Sequence, residues 1–201
     1  MEQWITDMIN QYGYAGILLL IALENIFPPI PSEVILTFAG FMTTRSGIGV
    51  TGVIISATVG SVAGALVLYW IGRLMHVERL ERLVDKWGKT LRVTKEDIRR
   101  ADRWFDRYGI WTVFFCRLVP LIRSLISIPA GMSDMPLGRF LLFTIAGTLI
   151  WNTVLVNIGA LVGDNWKNIV AVLDVYSYAA YLIIAVAVVV SVAIFIRRRY
   201  L

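Results

Sequence analysis

Four ionisable residues lie inside stretches of sequence that are otherwise apolar: Glu24, Glu33, Arg117 and Arg123. If these stretches enter a membrane, each charge costs about 2.5–3.5 kcal/mol on insertion scales, and four unpaired charges cost on the order of 10 kcal/mol. Residues of this kind are normally paired, and they mark a path for a substrate or for protons. We therefore expect the four to form one functional site, with two buried salt bridges of purely structural role as the alternative.

The residue types at this site suit a phosphate group and protons. Arginine presents a planar fork that binds phosphate bidentately and stays charged at any relevant pH, which assigns Arg117 and Arg123 to an anionic substrate. A carboxyl group in a low-dielectric cavity can take up and release a proton, which assigns Glu24 and Glu33 to proton coupling. Two permanent cations with two switchable anions fit the movement of a phosphate headgroup across a bilayer.

Other kinds of chemistry lack the side chains that they need. His76 is the only histidine and Cys116 the only cysteine, so we predict no metal site, no intrachain disulfide and no serine–histidine nucleophile. No glycine-rich phosphate loop occurs, so ATP-driven transport by this chain alone is unsupported. We therefore predict a protein that is not an enzyme and that needs no cofactor.

The elements that must position these residues are membrane helices. Of the 201 residues, 58% are hydrophobic and only 16% are charged, which is more apolar than a soluble domain. Three stretches of 22 or 23 residues contain no charge, at residues 50–71, 140–162 and 175–196. Because a helix needs about 20 apolar residues to cross the hydrocarbon core, we predict an all-α integral membrane protein with transmembrane helices at 50–72, 139–162 and 175–196.

Two further apolar regions, at about 12–42 and 109–133, are too broken to span. Prolines interrupt each of them in the middle: Pro28, Pro29 and Pro31 in the first, and Pro120 in the second. Each flank of about 10 residues covers only half of the hydrocarbon, so both regions are predicted to be re-entrant helical hairpins. Broken backbone of this kind is tolerated at membrane depth only against protein or water.

The two hairpins and the spans that follow them resemble copies of one unit. Similar residues recur in the same order in both, namely Tyr12-Gly13 and Tyr108-Gly109, Ala39-Gly40 and Ala130-Gly131, and Gly60 with Gly72 as Gly147 with Gly159. We predict an inverted repeat of re-entrant hairpin plus transmembrane helix, with an extra C-terminal transmembrane helix. Coincidence among common residues is the alternative.

The charge distribution orients the chain. Residues 73–107 carry eleven Lys and Arg against seven Asp and Glu, and residues 197–199 are all arginine. By the positive-inside rule both segments are cytoplasmic, which places the N-terminus outside and the C-terminus inside a cytoplasmic membrane that the chain crosses several times. The interleaved acidic residues disfavour a nucleic-acid partner.

Two features concern packing. Residues 76–107 are predicted to form two amphipathic cytoplasmic helices, which lie either on the inner leaflet or against the protein's own cytoplasmic face. Small residues recur at every fourth position, at Gly52, Ser56, Gly60 and Gly64, and permit close helix approach. Their partner is either the first hairpin, which we favour, or a second subunit in a homodimer.

The motifs around the four charges resemble those of the DedA family of membrane proteins, related to the VTT-domain lipid scramblases. The resemblance is carried by Glu24-x-x-x-Pro28-Pro29-x-Pro31-Ser32-Glu33 and by Phe114-x-x-Arg117-x-x-Pro120-x-x-Arg123-x5-Pro129-Ala130-Gly131-Met132. It implies opposed re-entrant hairpins, lipid movement across the bilayer, and key roles for the two acidic residues and two arginines. Many members carry Asp where Glu33 stands, so the charge is kept with a longer reach.

The resemblance makes a lipid-phosphate flippase the leading interpretation, with the polyprenyl lipid undecaprenyl phosphate as its cargo. A flippase or scramblase for the phospholipid phosphatidylethanolamine is the first alternative. A proton-coupled transporter of a small solute is an alternative of another class, and an enzyme acting on lipid phosphates is a third. Lipid sidedness, solute uptake and phosphate release are the measurements that separate them.

Overall fold

A computed structural model of the chain describes residues 8–9, 11–27, 31–75, 95–120, 122–163 and 186. Within these residues the protein is entirely helical and contains no β-strand. The helices are α1 (Tyr14–Ile26), α2 (Ser32–Met42), α3 (Val50–Leu74), α4 (Lys95–Cys116), α5 (Ile122–Leu125), α6 (Ser127–Met132) and α7 (Leu137–Val162). Of the span predicted at 175–196 only Val186 is described, and the first of the two predicted amphipathic helices lies outside the described residues.

The helices α3 and α7 have the length and composition of membrane spans. They contain 25 and 26 residues, which at about 1.5 Å per residue exceeds the hydrocarbon thickness of about 30 Å. Large apolar side chains are exposed along both of them, among them Ile55 and Trp70 on α3 and Leu142 and Leu161 on α7. Lipid is the solvent that suits such a surface.

Helical arms flank a break in each of the predicted hairpin regions. The first break separates α1 from α2 and includes Pro31, whose extended backbone (φ −74°, ψ 118°) precedes the first residue of α2. The second follows α4 and includes the buried Pro120. Proline lacks the N–H that a helix interior needs, so the helices end there. Pro28 and Pro29 lie outside the described residues.

The second half of the chain differs from the sequence prediction at the boundary between the amphipathic segment and the second hairpin region. The amphipathic cytoplasmic segment was expected to end at 107 and the hairpin to begin at 109, but α4 runs from Lys95 to Cys116 without interruption. No proline occurs in this segment and Gly109 is helical, so nothing breaks the ladder of backbone hydrogen bonds. Gly13, at the corresponding position of the first half, has a φ of 55° and does interrupt the helix before α1.

Each long helix packs closely on the first arm of its own half. In α3, Gly60 lies against the backbone carbonyl of Leu18 in α1, and in α7, Gly147 lies against Cβ of Arg117, directly after α4. A Cβ atom at either glycine would collide with these neighbouring atoms. Gly52 and Gly64 also face α1, so the three glycines of the small-residue stripe pack on α1, the first arm of the predicted hairpin.

Each long helix also packs on the second arm of the other half. Gly72 of α3 lies against the carbonyl of Ile128 in α6, and Gly159 of α7 lies against that of Thr37 in α2. Reciprocal contacts at the same two interfaces are made by Gly131 and Gly40. The two halves of the chain are thus packed in equivalent ways and are interlocked, because each contributes one arm to the other's long helix.

Candidate functional site

The breaks between the helices bring the four predicted charged residues together. Glu24 lies in the last turn of α1, Glu33 in the first turn of α2, Arg117 directly after α4 and Arg123 in α5. All four are buried, with exposed fractions of 6% or less. Glu24 interacts electrostatically with each of the other three, so the residues form one cluster, referred to below as the charge cluster.

One ion pair within the charge cluster links the two halves of the protein. Nη2 of Arg123 donates a hydrogen bond to Oε2 of Glu24 over 2.6 Å. Both side chains are almost completely buried, at 4% and 6% exposure. The bond joins α1, a short helix in the first half of the chain, to α5, a short helix in the second half. A charge-assisted bond of this length is among the stronger polar contacts in proteins.

Arg117 has a different environment, in which no carboxylate of the described residues forms an ion pair with it. Its Nη2 donates to the hydroxyl oxygens of Ser127, at 2.8 Å, and of Thr144, at 3.3 Å. The guanidinium carbon lies 5.9 Å from the ring centre of Phe140. Its Nε–H is buried and has no hydrogen-bond partner among the described residues. A buried cation held only by hydroxyls and a ring face is an incomplete site that an anion would complete.

Glu33 is the second member of the charge cluster that forms no ion pair among the described residues. The hydroxyl of Ser32 donates to its Oε2 at 3.3 Å, a long bond, and within the described part of the chain no salt bridge reaches it. The structure therefore separates the two acidic residues, since Glu24 is ion-paired and Glu33 is not.

The polar and aromatic partners of Arg117 were not predicted from the sequence. Ser127 is ten positions away on α6, while Thr144 and Phe140 are one turn apart on α7. Helical spacing places the latter two on one face of α7. That face is directed to Arg117 only because α7 packs on α4, and no local signal in the sequence predicts this contact.

Two buried asparagines, one in α7 and one in α1, donate hydrogen bonds to α3. Asn152 of α7 donates to the hydroxyl of Thr58 in α3 at 3.2 Å, and Asn25, next to Glu24, donates to the backbone carbonyl of Ser61 in α3. Both bonds tie apolar helices together where water is excluded. Among the described residues there is no group of three or more His, Cys, Asp or Glu that could hold a metal ion.

The chain is similar in sequence to a known domain family and to several named proteins. The family model of the VTT domain matches residues 30–161. "Undecaprenyl phosphate transporter A" of Staphylococcus aureus (strain NCTC 8325 / PS 47) is 42% identical over 199 residues, which cover 99% of this chain and 98% of that protein. The protein of the same name from Bacillus subtilis (strain 168) is 34% identical over 196 residues, 98% of this chain and 92% of that protein.

A relative with a different kind of name is more similar still. The "Alkaline phosphatase-like protein" of Lactococcus lactis subsp. cremoris (strain MG1363) is 55% identical over all 201 residues and 94% of its own length. No solved structure matches the chain significantly. The described helices, the charge cluster and the sequence relatives are therefore the observations from which a function has to be inferred.

Proposed function

Because the chain belongs to the VTT-domain family, the DedA family of membrane proteins, we propose that it is a lipid-phosphate transporter which returns undecaprenyl phosphate across the cytoplasmic membrane. The observation that carries the proposal is the charge cluster: two arginines and two glutamates, all buried, between the short helices of the two halves. The two relatives named undecaprenyl phosphate transporter A support this cargo.

The membrane arrangement is part of the proposal. The helices α3 and α7 cross the bilayer, α1 with α2 and α4 with α5 and α6 form re-entrant hairpins from opposite faces, and residues 175–196 form a third span. At 13 and 11 residues, α1 and α2 are each about 20 Å long or less, too short to cross about 30 Å of hydrocarbon. The equivalent packing of the two halves supports an inverted repeat, in which the charge cluster lies near the midplane.

The arginines are assigned to the phosphate headgroup. Arg117, without a carboxylate partner within the described part of the chain, offers the first contact. Arg123 becomes available when Glu24 releases it, and that release also breaks the ion pair that joins the two halves. Substrate binding and separation of the hairpins are therefore coupled in this mechanism, as alternating access requires.

Proton coupling follows from the balance of charge. With all four side chains ionised the charge cluster is neutral, and a phosphomonoester adds about −1.5 to −2 near neutral pH. Binding of this excess negative charge at a buried site, where the dielectric constant is low, is strongly disfavoured. Protonation of Glu24 and Glu33 restores neutrality, so protons from the outer side drive loading and their release inside drives unloading.

The alternative cargo predicts a different charge balance. The ammonium of phosphatidylethanolamine can pair with an ionised glutamate while its phosphodiester meets an arginine, so that lipid needs no proton uptake. The test uses the full chain in vesicles with an imposed pH gradient and follows the sidedness of each lipid. We expect undecaprenyl phosphate movement to depend on the gradient. Movement that ignores the gradient, together with ready transport of phosphatidylethanolamine, contradicts the proposal.

Arginine-to-lysine variants test the role of the guanidinium group in the same vesicles. Arg117→Lys and Arg123→Lys keep the positive charge but lose the planar fork, so each is expected to lose most of the transport while the protein still inserts. Arg139→Lys is the matched control, because Arg139 is exposed at the start of α7. Near-normal transport by both cluster variants would exclude a phosphate-binding role.

The name of the Lactococcus relatives suggests hydrolysis of a phosphate ester as a further activity. Phosphate release from labelled undecaprenyl phosphate in the same vesicles separates hydrolysis from transport. We expect the lipid to change leaflet with its phosphate intact. Release of phosphate at the rate of lipid movement would replace the transport proposal with an enzymatic one.

A further inference from the structure

The serine and threonine hydroxyls of the described residues differ in the group to which they donate. Most of those with a described bond donate to a backbone carbonyl three or four residues earlier, as do Thr37, Thr43, Thr44, Ser46, Thr58 and Thr112. Such back-bonding satisfies the hydroxyl hydrogen within its own helix or turn. Ser127 and Thr144 differ, because both accept a hydrogen bond from Arg117 and neither donates one among the described residues.

The hydroxyl hydrogens of Ser127 and Thr144 are therefore left for another acceptor. A hydroxyl group carries one donor and two acceptor lone pairs, so accepting from arginine does not use its hydrogen. Both side chains are completely buried, and a buried donor without an acceptor is costly. An oxygen-rich ligand at this point would satisfy both hydroxyls.

The guanidinium of Arg117 presents its free donor on the same edge. Nη2, which contacts both hydroxyls, and the unpartnered Nε are the two nitrogens of one side of the fork. Nη2 carries two hydrogens and the two hydroxyls take both, so the Nε–H is the donor left for a ligand on this side of the fork. In Arg123 the Nη2 atom donates to a carboxylate instead, that of Glu24, at 2.6 Å.

We infer that Ser127 and Thr144 form, with Arg117, a subsite that selects a terminal phosphate, a phosphomonoester, over a phosphodiester. The inference rests on the proposed function and names the part of the charge cluster that recognises the cargo. A monoester has three terminal oxygens, of which one accepts from Nε of Arg117 and the other two accept from the hydroxyls of Ser127 and Thr144. A diester has only two such oxygens, so its second ester group would face one of these three donors and leave it without a charged acceptor.

The two arginines consequently have different roles. Arg117 and the two hydroxyls hold the headgroup, while Arg123 alternates between Glu24 and the substrate. The subsite is built by the end of α4, by α6 and by α7, all from the second half of the chain. The first half contributes the carboxylates, so selection of the headgroup and proton exchange are separated between the two halves.

The experiment measures transport of two probes by the full chain in vesicles. The probes are a short-chain fluorescent polyprenyl phosphate and its methyl phosphodiester. The variants are Ser127→Ala and Thr144→Val, which remove one hydroxyl each. Thr148→Val is the matched control, since Thr148 is also buried on α7, one turn further along, and has no bond to Arg117. Thermal unfolding of each variant shows that it is folded.

Each of the two variants is expected to weaken apparent affinity for the monoester about tenfold, as for loss of one hydrogen bond to a charged group. Transport of the diester should change by less than about twofold. The conservative variants Ser127→Thr and Thr144→Ser should retain the preference, and Thr148→Val should not alter it. If the wild-type protein moves the monoester and the two variants keep the same preference, the subsite is refuted while the proposed function stands. If the wild-type protein moves neither probe, the proposed function fails.

Discussion

The substitutions Glu24→Gln and Glu33→Gln should affect the unfolding free energy to very different extents. Glu24→Gln removes one partner of a completely buried ion pair of 2.6 Å and leaves the charge of Arg123 unpaired, which costs about 3–5 kcal/mol. Glu33→Gln removes a buried charge that only the hydroxyl of Ser32 supports, at 3.3 Å. Its unfolding free energy should therefore stay within about 1 kcal/mol of the wild type or increase.

Reversible unfolding of the full chain in mixed detergent micelles at neutral pH measures both effects. The double variant Glu24→Gln with Arg123→Gln completes a double-mutant cycle. Because it leaves no unpaired charge, it should be more stable than Glu24→Gln alone. Similar destabilisation by both single glutamine variants would refute the distinction between the two carboxylates. So would a double variant whose loss equals the sum of the two single losses.

Three further predictions concern packing and topology. Gly159→Ala should lower the unfolding free energy by about 2–3 kcal/mol, because its Cβ would meet the backbone of α2. Gly138→Ala is the control: it has open space around it and should leave the unfolding free energy unchanged. Tyr69→Phe should lower the unfolding free energy by about 1–2 kcal/mol, because the Tyr69 hydroxyl donates to the backbone carbonyl of Met135 at 2.6 Å. An unchanged melting temperature would contradict this. With the native cysteine replaced, Thr43→Cys should react with an impermeant thiol reagent from outside and Asp134→Cys from inside. Labelling of both from one side would exclude the inverted repeat.

The sequence by itself determined the family and the helical, membrane-embedded character of the chain. Apolar stretches long enough to span are a one-dimensional property, and the motifs around Glu24 and Arg117 are local. The match of the VTT domain to residues 30–161 confirms the resemblance, and α3 and α7 confirm two helices with the length and composition of spans. The glycines of the small-residue stripe pack on α1, in the region that the sequence favours as their partner.

Only the tertiary structure decided which charges meet. The sequence presents Glu24 and Glu33 as equivalent acids and Arg117 and Arg123 as equivalent cations, because burial and hydrogen bonding depend on groups that are distant along the chain. Arg123 pairs with a residue 99 positions away, and Thr144 reaches Arg117 only because α7 packs on α4. The sequence pattern also did not predict that α4 continues through Gly109. A glycine can end a helix or continue it, depending on the surrounding contacts.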